Sequence, residues 1–161
     1  LGNNSLAKNL QPFYGFGFGG NLMTPINFGI GLDYSEYFSN VKYGEQNLYG
    51  NIGSPRMTVV DVFLTHRENI SDDFMVEEMA GFSYYRLTNL YLDKSEKLRN
   101  NAMGFHLGGK AIYTLDGPQQ VFAALKANFY YGNVYNENPE IRKYYSNSTF
   151  LSLSVGYRYN F

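Results

Sequence analysis

The chain contains two histidines, His66 and His106, and histidine is the side chain that enzymes use most often as a general base. His106 lies near Gly108 and Lys110 on the polar side of an alternating segment. As a catalytic base it would need a positioned nucleophile and an orienting acid. The simpler interpretation is a hydrogen-bonded structural residue, because networks without a catalytic role also hold titratable side chains. We favour that interpretation for both histidines.

Other common kinds of site have little support. The chain has no cysteine, which removes disulfides, thiol catalysis and cysteine-based metal sites. The two histidines are not at a metal-ligand spacing, so we expect no metal site. Residues 16–20 read Phe-Gly-Phe-Gly-Gly, but the glycines follow a period of two and no helix follows, which argues against a phosphate-binding loop. We therefore expect no catalytic residue, no metal ligand and no cofactor.

The composition limits the class of protein. A length of 161 residues suits one domain, which we assign to residues 1–161. A net charge of −1 gives no reason to expect a nucleic-acid partner. No apolar run approaches the roughly 20 residues that a transmembrane helix needs. The chain has 16 tyrosines, 13 phenylalanines and 17 glycines but no tryptophan, a mixture typical of β-barrels with aromatic girdles.

The clearest pattern lies at the C-terminal end, where apolar and polar residues alternate with a period of two. The apolar row consists of Leu151, Leu153, Val155, Tyr157, Tyr159 and Phe161. Such alternation predicts a strand with one apolar and one polar face. Six further segments alternate, at residues 13–19, 26–35, 58–67, 76–87, 103–115 and 121–131. We therefore predict an all-β protein built on an antiparallel up-and-down sheet.

The connections between these segments alternate in length. Residues 20–25, 68–73 and 116–120 form short connections with turn residues. The long connections, rich in asparagine, tyrosine and glutamate, are residues 39–55, 89–101 and 133–148. Short turns at one end and long loops at the other are typical of outer-membrane barrels.

The chain ends in Ser-Val-Gly-Tyr-Arg-Tyr-Asn-Phe, which resembles the C-terminal signal of bacterial outer-membrane β-barrels. The matching residues are Ser154, Gly156, Tyr159 and Phe161. The resemblance implies insertion into a Gram-negative outer membrane by the barrel-assembly machinery. Over most of its length the chain also resembles the small, porin-like outer-membrane barrels of Bacteroidota.

The resemblance implies an orientation and a number of strands. With the C-terminus in the periplasm, the long loops at residues 39–55, 89–101 and 133–148 are extracellular. Single-chain bacterial barrels have even numbers of strands, so we expect an eight-stranded transmembrane barrel. Its first strand and its signal peptide would be missing from this sequence. Residues 1–11 would then end an external loop, and the alternative is that part of them pairs as a short irregular strand.

Alternation alone does not say which face points inward, and a soluble barrel of the lipocalin type would place the apolar row inside. The polar row here consists mainly of glycine, serine and asparagine, which suits the crowded interior of a narrow barrel. We therefore place the apolar row in lipid. Inward charges then need partners. The expected polar network of the lumen consists of Asp33, Asp61, Glu77, His106, Lys110, Lys126, Asn128 and Arg158.

Three functions remain open. We favour a non-enzymatic structural or interaction protein, either an accessory subunit of a larger outer-membrane complex or a barrel that binds through its surface loops. A narrow channel for small solutes or ions would need the inward charges to line one wall instead of pairing across the lumen. An envelope lipid-modifying enzyme would need a His-Ser/Asp cluster at the barrel rim. The expected partners are outer-membrane lipids, the assembly machinery and other outer-membrane proteins.

Overall fold

A computed structural model describes residues 10–44, 52–91, 97–132, 139 and 146–161. The described residues form an all-β fold of seven strands, as the sequence predicts. The strands are β1 (Tyr14–Met23), β2 (Phe28–Phe38), β3 (Ile52–Asn69), β4 (Phe74–Tyr91), β5 (Lys97–Asp116), β6 (Gln119–Gly132) and β7 (Asn147–Tyr159). Within these ranges no helix is long and apolar enough to cross a membrane.

The seven strands form one antiparallel up-and-down sheet in the order β1-β2-β3-β4-β5-β6-β7. The sheet curls into a half-barrel, and side chains of its first and last strands meet: Nη2 of Arg158 donates to Oδ1 of Asn21 over 3.0 Å. In the described part of the chain, β1 pairs only with β2 and β7 only with β6. Two backbone edges are therefore left unpaired, and the predicted eighth strand is not among the described residues.

Several strands extend further than the sequence predicts. The predicted loop at residues 89–101 is largely strand, because β4 continues to Tyr91 and β5 begins at Lys97. The predicted loop at residues 39–55 likewise ends early, since β3 begins at Ile52. These extensions are rich in polar residues such as Arg99, Asn100 and Asn101 and lack an alternating apolar row. The backbone hydrogen bonds between strands continue through these extensions nonetheless. Such bonds do not depend on side-chain type, so the sequence pattern does not reveal them.

The short turns lie close to their predicted positions. The first turn follows Met23 instead of Gly19, and Asn27 within it has a φ of 64°. A positive φ is tolerated by asparagine better than by most residues. In the third turn Gly117 has a φ of 54°. Of residues 1–11, which were predicted to end an external loop or, alternatively, to pair as a short irregular strand, Leu10 forms a single bridge with Val41, and residues 1–9 lie outside the described ranges.

The two faces of the sheet have inverted polarity. Large apolar side chains on the convex face are exposed: Phe18 (70%), Phe82 (75%), Leu153 (79%) and Val155 (81%). On the concave face Asp61, Glu77 and Asn128 are each 1% exposed and His106 is 0% exposed. This is the reverse of a soluble protein, in which charged side chains are almost never fully buried and apolar ones usually are.

An apolar and aromatic cluster fills the concave face near the long loops. Its buried members are Met57, Val59, Tyr85, Leu87, Ala102 and Tyr130. The ring of Tyr85 lies edge-on to Tyr130, with centroids 5.4 Å apart, and edge-on to Phe150 at 6.1 Å. Because Phe150 belongs to β7, these contacts join the middle of the sheet to its last strand and stabilise the curvature of the sheet at this end.

Glycines on the concave face make room for large rings on neighbouring strands. The ring of Phe63 lies over Gly31, and the ring of Phe122 lies over Gly156. Alternating small and large residues is how a narrow barrel fills its interior. The glycine of the predicted C-terminal signal therefore also has a packing role in this fold.

We expect Gly81→Ala to destabilise the fold. A Cβ at Gly81 would lie 2.5 Å from Cβ of Phe63 and closer still to the carbonyl oxygen of Val62, so the backbone of β3 would have to move. Such overpacking costs about 1–3 kcal/mol. Gly20→Ala is the matched control, because nothing lies within 4 Å of the added carbon. Urea titration in detergent micelles, followed by circular dichroism, measures both variants, and equal midpoints would contradict the prediction.

The C-terminal strand ends slightly earlier than the sequence predicts. β7 ends at Tyr159, two positions before Phe161. The backbone nitrogen of Asn160 donates to the carbonyl oxygen of Pro118 over 2.9 Å, which ties the end of the chain to the β5–β6 turn. Phe161 is fully exposed, and its ring centroid lies 4.9 Å from that of Tyr159. The terminal aromatic residues therefore lie at the short-turn end of the convex face.

Candidate functional site

Polar side chains of the concave face form two clusters at different heights. The central cluster consists of Asp61, Ser83, His106, Lys126 and Asn128, from strands β3 to β6. The turn-end cluster consists of Asn21, Arg67, Glu77 and Arg158, from strands β1, β3, β4 and β7. The period of two directs these residues inward, while the curl of the sheet brings distant strands together.

The central cluster is organised around Asp61. The ammonium group of Lys126 donates a hydrogen bond to Oδ2 of Asp61. Nδ1 of His106 lies 3.5 Å from Oδ1 of the same carboxylate and 2.8 Å from Oγ of Ser83. Nδ2 of Asn128 donates to Oγ of Ser152 over 3.2 Å. Since Asp61 is 1% exposed, Lys126 supplies the charge compensation that a carboxylate removed from water requires.

The turn-end cluster is organised around Glu77. Its Oε1 accepts hydrogen bonds from Nη2 of Arg67 over 2.6 Å and from Nη1 of Arg158 over 2.7 Å. Asn21 completes the cluster by donating to Oε2 of Glu77 over 3.4 Å while accepting a hydrogen bond from Arg158. One buried carboxylate thus links strands on opposite sides of the half-barrel.

Asp33 and Lys110 lie on the same concave face but outside both sets of ion pairs. Asp33 is the cross-strand partner of Asp61, and its carboxylate lies over Gly19. Lys110 is the cross-strand partner of Glu77, and its Nζ lies 4.8 Å from the ring centroid of Phe122. Within the described ranges neither forms a salt bridge. The other six predicted network residues fall into the two clusters.

Three residues of these clusters were not predicted from the sequence: Asn21, Arg67 and Ser83. Arg67 lies an even number of residues after Asp61, so the alternation of β3 already places it on the inner face. Asn21 was missed because the first strand was predicted to end at Gly19, before this residue. Ser83 lies on the inner face of β4, the segment whose alternation is least regular.

Ser83, His106 and Asp61 bring together the residue types of a hydrolytic triad, but in the wrong geometry. A triad needs the nucleophile at one ring nitrogen and the acid at the other. Here Ser83 and Asp61 both face Nδ1 of His106, and Nε2 has no hydrogen-bond partner within the described ranges. The arrangement therefore cannot relay a proton from serine through histidine to aspartate.

Metal binding has no support in the described part of the chain. There, no group of three or more histidine, cysteine, aspartate or glutamate side chains is placed to hold an ion. The second histidine, His66, lies on the convex face, with Nδ1 3.8 Å from Oε2 of Glu78 and its ring 4.7 Å from that of Phe28. It is thus far from the central cluster in the fold and makes a surface contact.

Polar residues mark both limits of the apolar convex face on β3 and β4. Thr58 and Arg86 are cross-strand partners on the long-loop side, and His66 and Glu78 are cross-strand partners on the short-turn side. The two limits are about 26 Å apart along the strands, and at the tilt of about 40° that is typical of outer-membrane barrels this distance would correspond to a height of roughly 20 Å. That height is slightly less than the ~25 Å apolar band of outer-membrane barrels.

Comparison with protein-family models, with curated proteins and with solved structures finds no match for this chain.

Proposed function

We propose that this chain forms an integral β-barrel of a Gram-negative outer membrane with a non-enzymatic, structural or interaction role. The observation that carries the proposal is the inverted polarity of the sheet, with exposed Phe18, Phe82 and Val155 outside and buried Asp61 and Glu77 inside. Exposing a continuous apolar face to water is unfavourable, whereas hydrocarbon is a good solvent for it. The porin-like resemblance of the sequence points the same way.

In the proposed orientation the short turns and the C-terminus face the periplasm and the long loops are extracellular. The aromatic cluster around Tyr85 then lies beneath the loops and the cluster around Glu77 lies near the periplasmic end. Tyr43, which is 99% exposed, belongs to the extracellular side. The loop tyrosines Tyr49, Tyr135, Tyr144 and Tyr145, which suggest an adaptable binding surface, lie outside the described residues.

Among the described residues, the outer edges of β1 and β7 have no strand partner. In hydrocarbon every backbone N–H and C=O group needs a partner, and a closed barrel supplies them all. The proposal therefore includes an eighth strand between these two edges. A companion chain that contributes or covers this strand would make the protein a subunit of a larger outer-membrane complex.

The ion-paired lumen argues against the second candidate, a narrow channel. Lys126 with Asp61 and Arg158 with Glu77 connect different strands across the concave face, and paired charges of this kind obstruct a water-filled path. A lipid-modifying enzyme has less support, because the only described Ser-His-Asp group is buried and has both partners on one ring nitrogen.

The proposal is tested by extracting the protein from native membranes in mild detergent and measuring its mass on native gels, with mass spectrometry of co-purifying chains. We expect the protein to stay in the membrane pellet after an alkaline carbonate wash and to elute with stoichiometric companions. Release into the wash would contradict membrane insertion. Migration as one chain with its detergent would contradict the subunit role, and planar-bilayer conductance would then test the channel.

A further inference from the structure

We infer that the convex face carries, at its long-loop end, a binding site for the phosphate groups of an anionic membrane lipid. The site is formed by Arg56 of β3, Arg86 of β4 and Arg99 of β5, hereafter the rim arginines. All three are exposed, and the residues that follow them in their strands are buried on the opposite face: Met57, Leu87 and Asn100. The inference rests on the proposed membrane location and adds a ligand to it.

The register of the sheet places the rim arginines around Thr88. Arg56 and Arg99 are the cross-strand partners of Thr88 on its two sides, and Arg86 precedes it on the same face of β4. With strands about 4.8 Å apart and residues about 3.3 Å apart along a strand, the three Cα atoms form a triangle with sides of roughly 8–10 Å. The side chains of Arg86 and Arg99 are long enough to reach one anion over Thr88, whereas the guanidinium of Arg56 is directed towards Glu36 of β2 and flanks the site.

Among the described residues, the charge of this site is only partly balanced. Nε of Arg56 donates to Oε2 of Glu36 over 2.6 Å, and the arginine side chain stays 53% exposed. Nε of Arg86 donates to Oδ1 of Asn101 over 3.3 Å, and neither Arg86 nor Arg99 pairs with a carboxylate of the described residues. An excess of positive charge on an exposed face attracts anions, and the planar fork of arginine matches a phosphate better than an ammonium group does.

The position of the site favours a lipid over a free anion. The guanidinium of Arg86 lies 6.0 Å from the ring centroid of Tyr84, and that of Arg56 lies 5.4 Å from the ring of Phe38. Further along the same face Phe82 and Met103 are exposed. A ligand bound to the rim arginines therefore meets apolar surface on the side away from the long loops. A phosphate headgroup with acyl chains satisfies both surfaces at once, and basic residues at a membrane boundary recognise such headgroups.

The test measures lipid binding by the purified protein in micelles of an uncharged detergent, with native mass spectrometry as the readout and diphosphorylated lipid A as the probe. We expect wild-type protein to retain lipid A and the Arg86→Gln/Arg99→Gln variant to bind it at least tenfold more weakly. Arg56 is left unchanged because its removal would leave the buried Glu36 without its cation. Arg86→Lys/Arg99→Lys, which keeps the charge but loses the fork, should bind with intermediate affinity.

Two further arms identify the source of the phosphate. In the first, lipid A without its phosphates should bind no better to wild-type protein than to the glutamine variant. In the second, inorganic phosphate at the same concentration as lipid A should not displace lipid A from the wild-type protein. Equal binding of the two lipids, or of wild-type protein and the glutamine variant, would overturn the inference, as would displacement by inorganic phosphate. Circular dichroism of each sample checks that the sheet is folded in micelles. A failure of the folded wild-type protein to bind lipid A would overturn the lipid site, whereas the carbonate wash tests membrane insertion independently.

Discussion

Replacing Glu77 by glutamine is expected to lower the free energy of unfolding by about 3–5 kcal/mol. The carboxylate of Glu77, 1% exposed, accepts hydrogen bonds from both Arg67 and Arg158. Glutamine has nearly the same shape but no charge, so the variant keeps two guanidinium groups on the concave face without a shared counterion. Losing one partner of a buried ion pair is more costly than the pair itself is stabilising.

The chain offers a matched control in the next residue. Glu78 lies on the same strand but on the convex face, its side chain is 80% exposed, and its only described ion contact is His66 at 3.8 Å. Glu78→Gln removes the same charge, and we expect it to change stability by no more than about 0.5 kcal/mol. Urea titrations of both variants in the same detergent give the comparison. Equal losses of stability would show that Glu77 is not the centre of a buried cluster.

The sequence predicted the faces of the strands better than their lengths. The alternation around Val62 and Leu64 identified the outer face of β3. Asp61 lies at an intervening position of the alternation, which identified it as a residue of the inner face. The same pattern ends where both faces become polar, so it could not follow β5 back to Lys97. Apolar alternation indicates only the part of a strand whose two faces lie in different environments, one apolar and one polar. The backbone hydrogen bonds that define the ends of the strand are independent of side-chain type.

The alternation of the strands indicated most of the inward charges, although not Arg67, and it did not indicate which of them pair. Arg158 and Glu77 are far apart in the chain and lie on strands that are not neighbours in the sheet. Their contact depends on the curl and shear of the sheet, which the residue pattern does not encode directly. The rim arginines were not predicted from the sequence for a related reason. Arg86 and Arg99 belong to segments with weak or no apolar alternation, and only the register around Thr88 brings them together.

The central cluster yields the second large effect, which a double-mutant cycle can isolate. Lys126→Met removes the cation next to Asp61 and should destabilise the fold by about 3–5 kcal/mol, because an almost fully buried carboxylate then lacks its ion-pair partner. Asp61→Asn in the same chain removes that unpaired charge. We therefore expect the double variant to be more stable than Lys126→Met alone.

Recovery beyond the effect of Asp61→Asn alone requires that the two side chains interact, since the effects of mutations at independent sites add. Urea titrations of wild type, both single variants and the double variant give the coupling energy, which we expect to exceed about 1 kcal/mol. Additive losses would mean that Lys126 is stabilised mainly by solvent in the lumen. The lumen would then be wet enough to favour the narrow channel over a closed structural barrel.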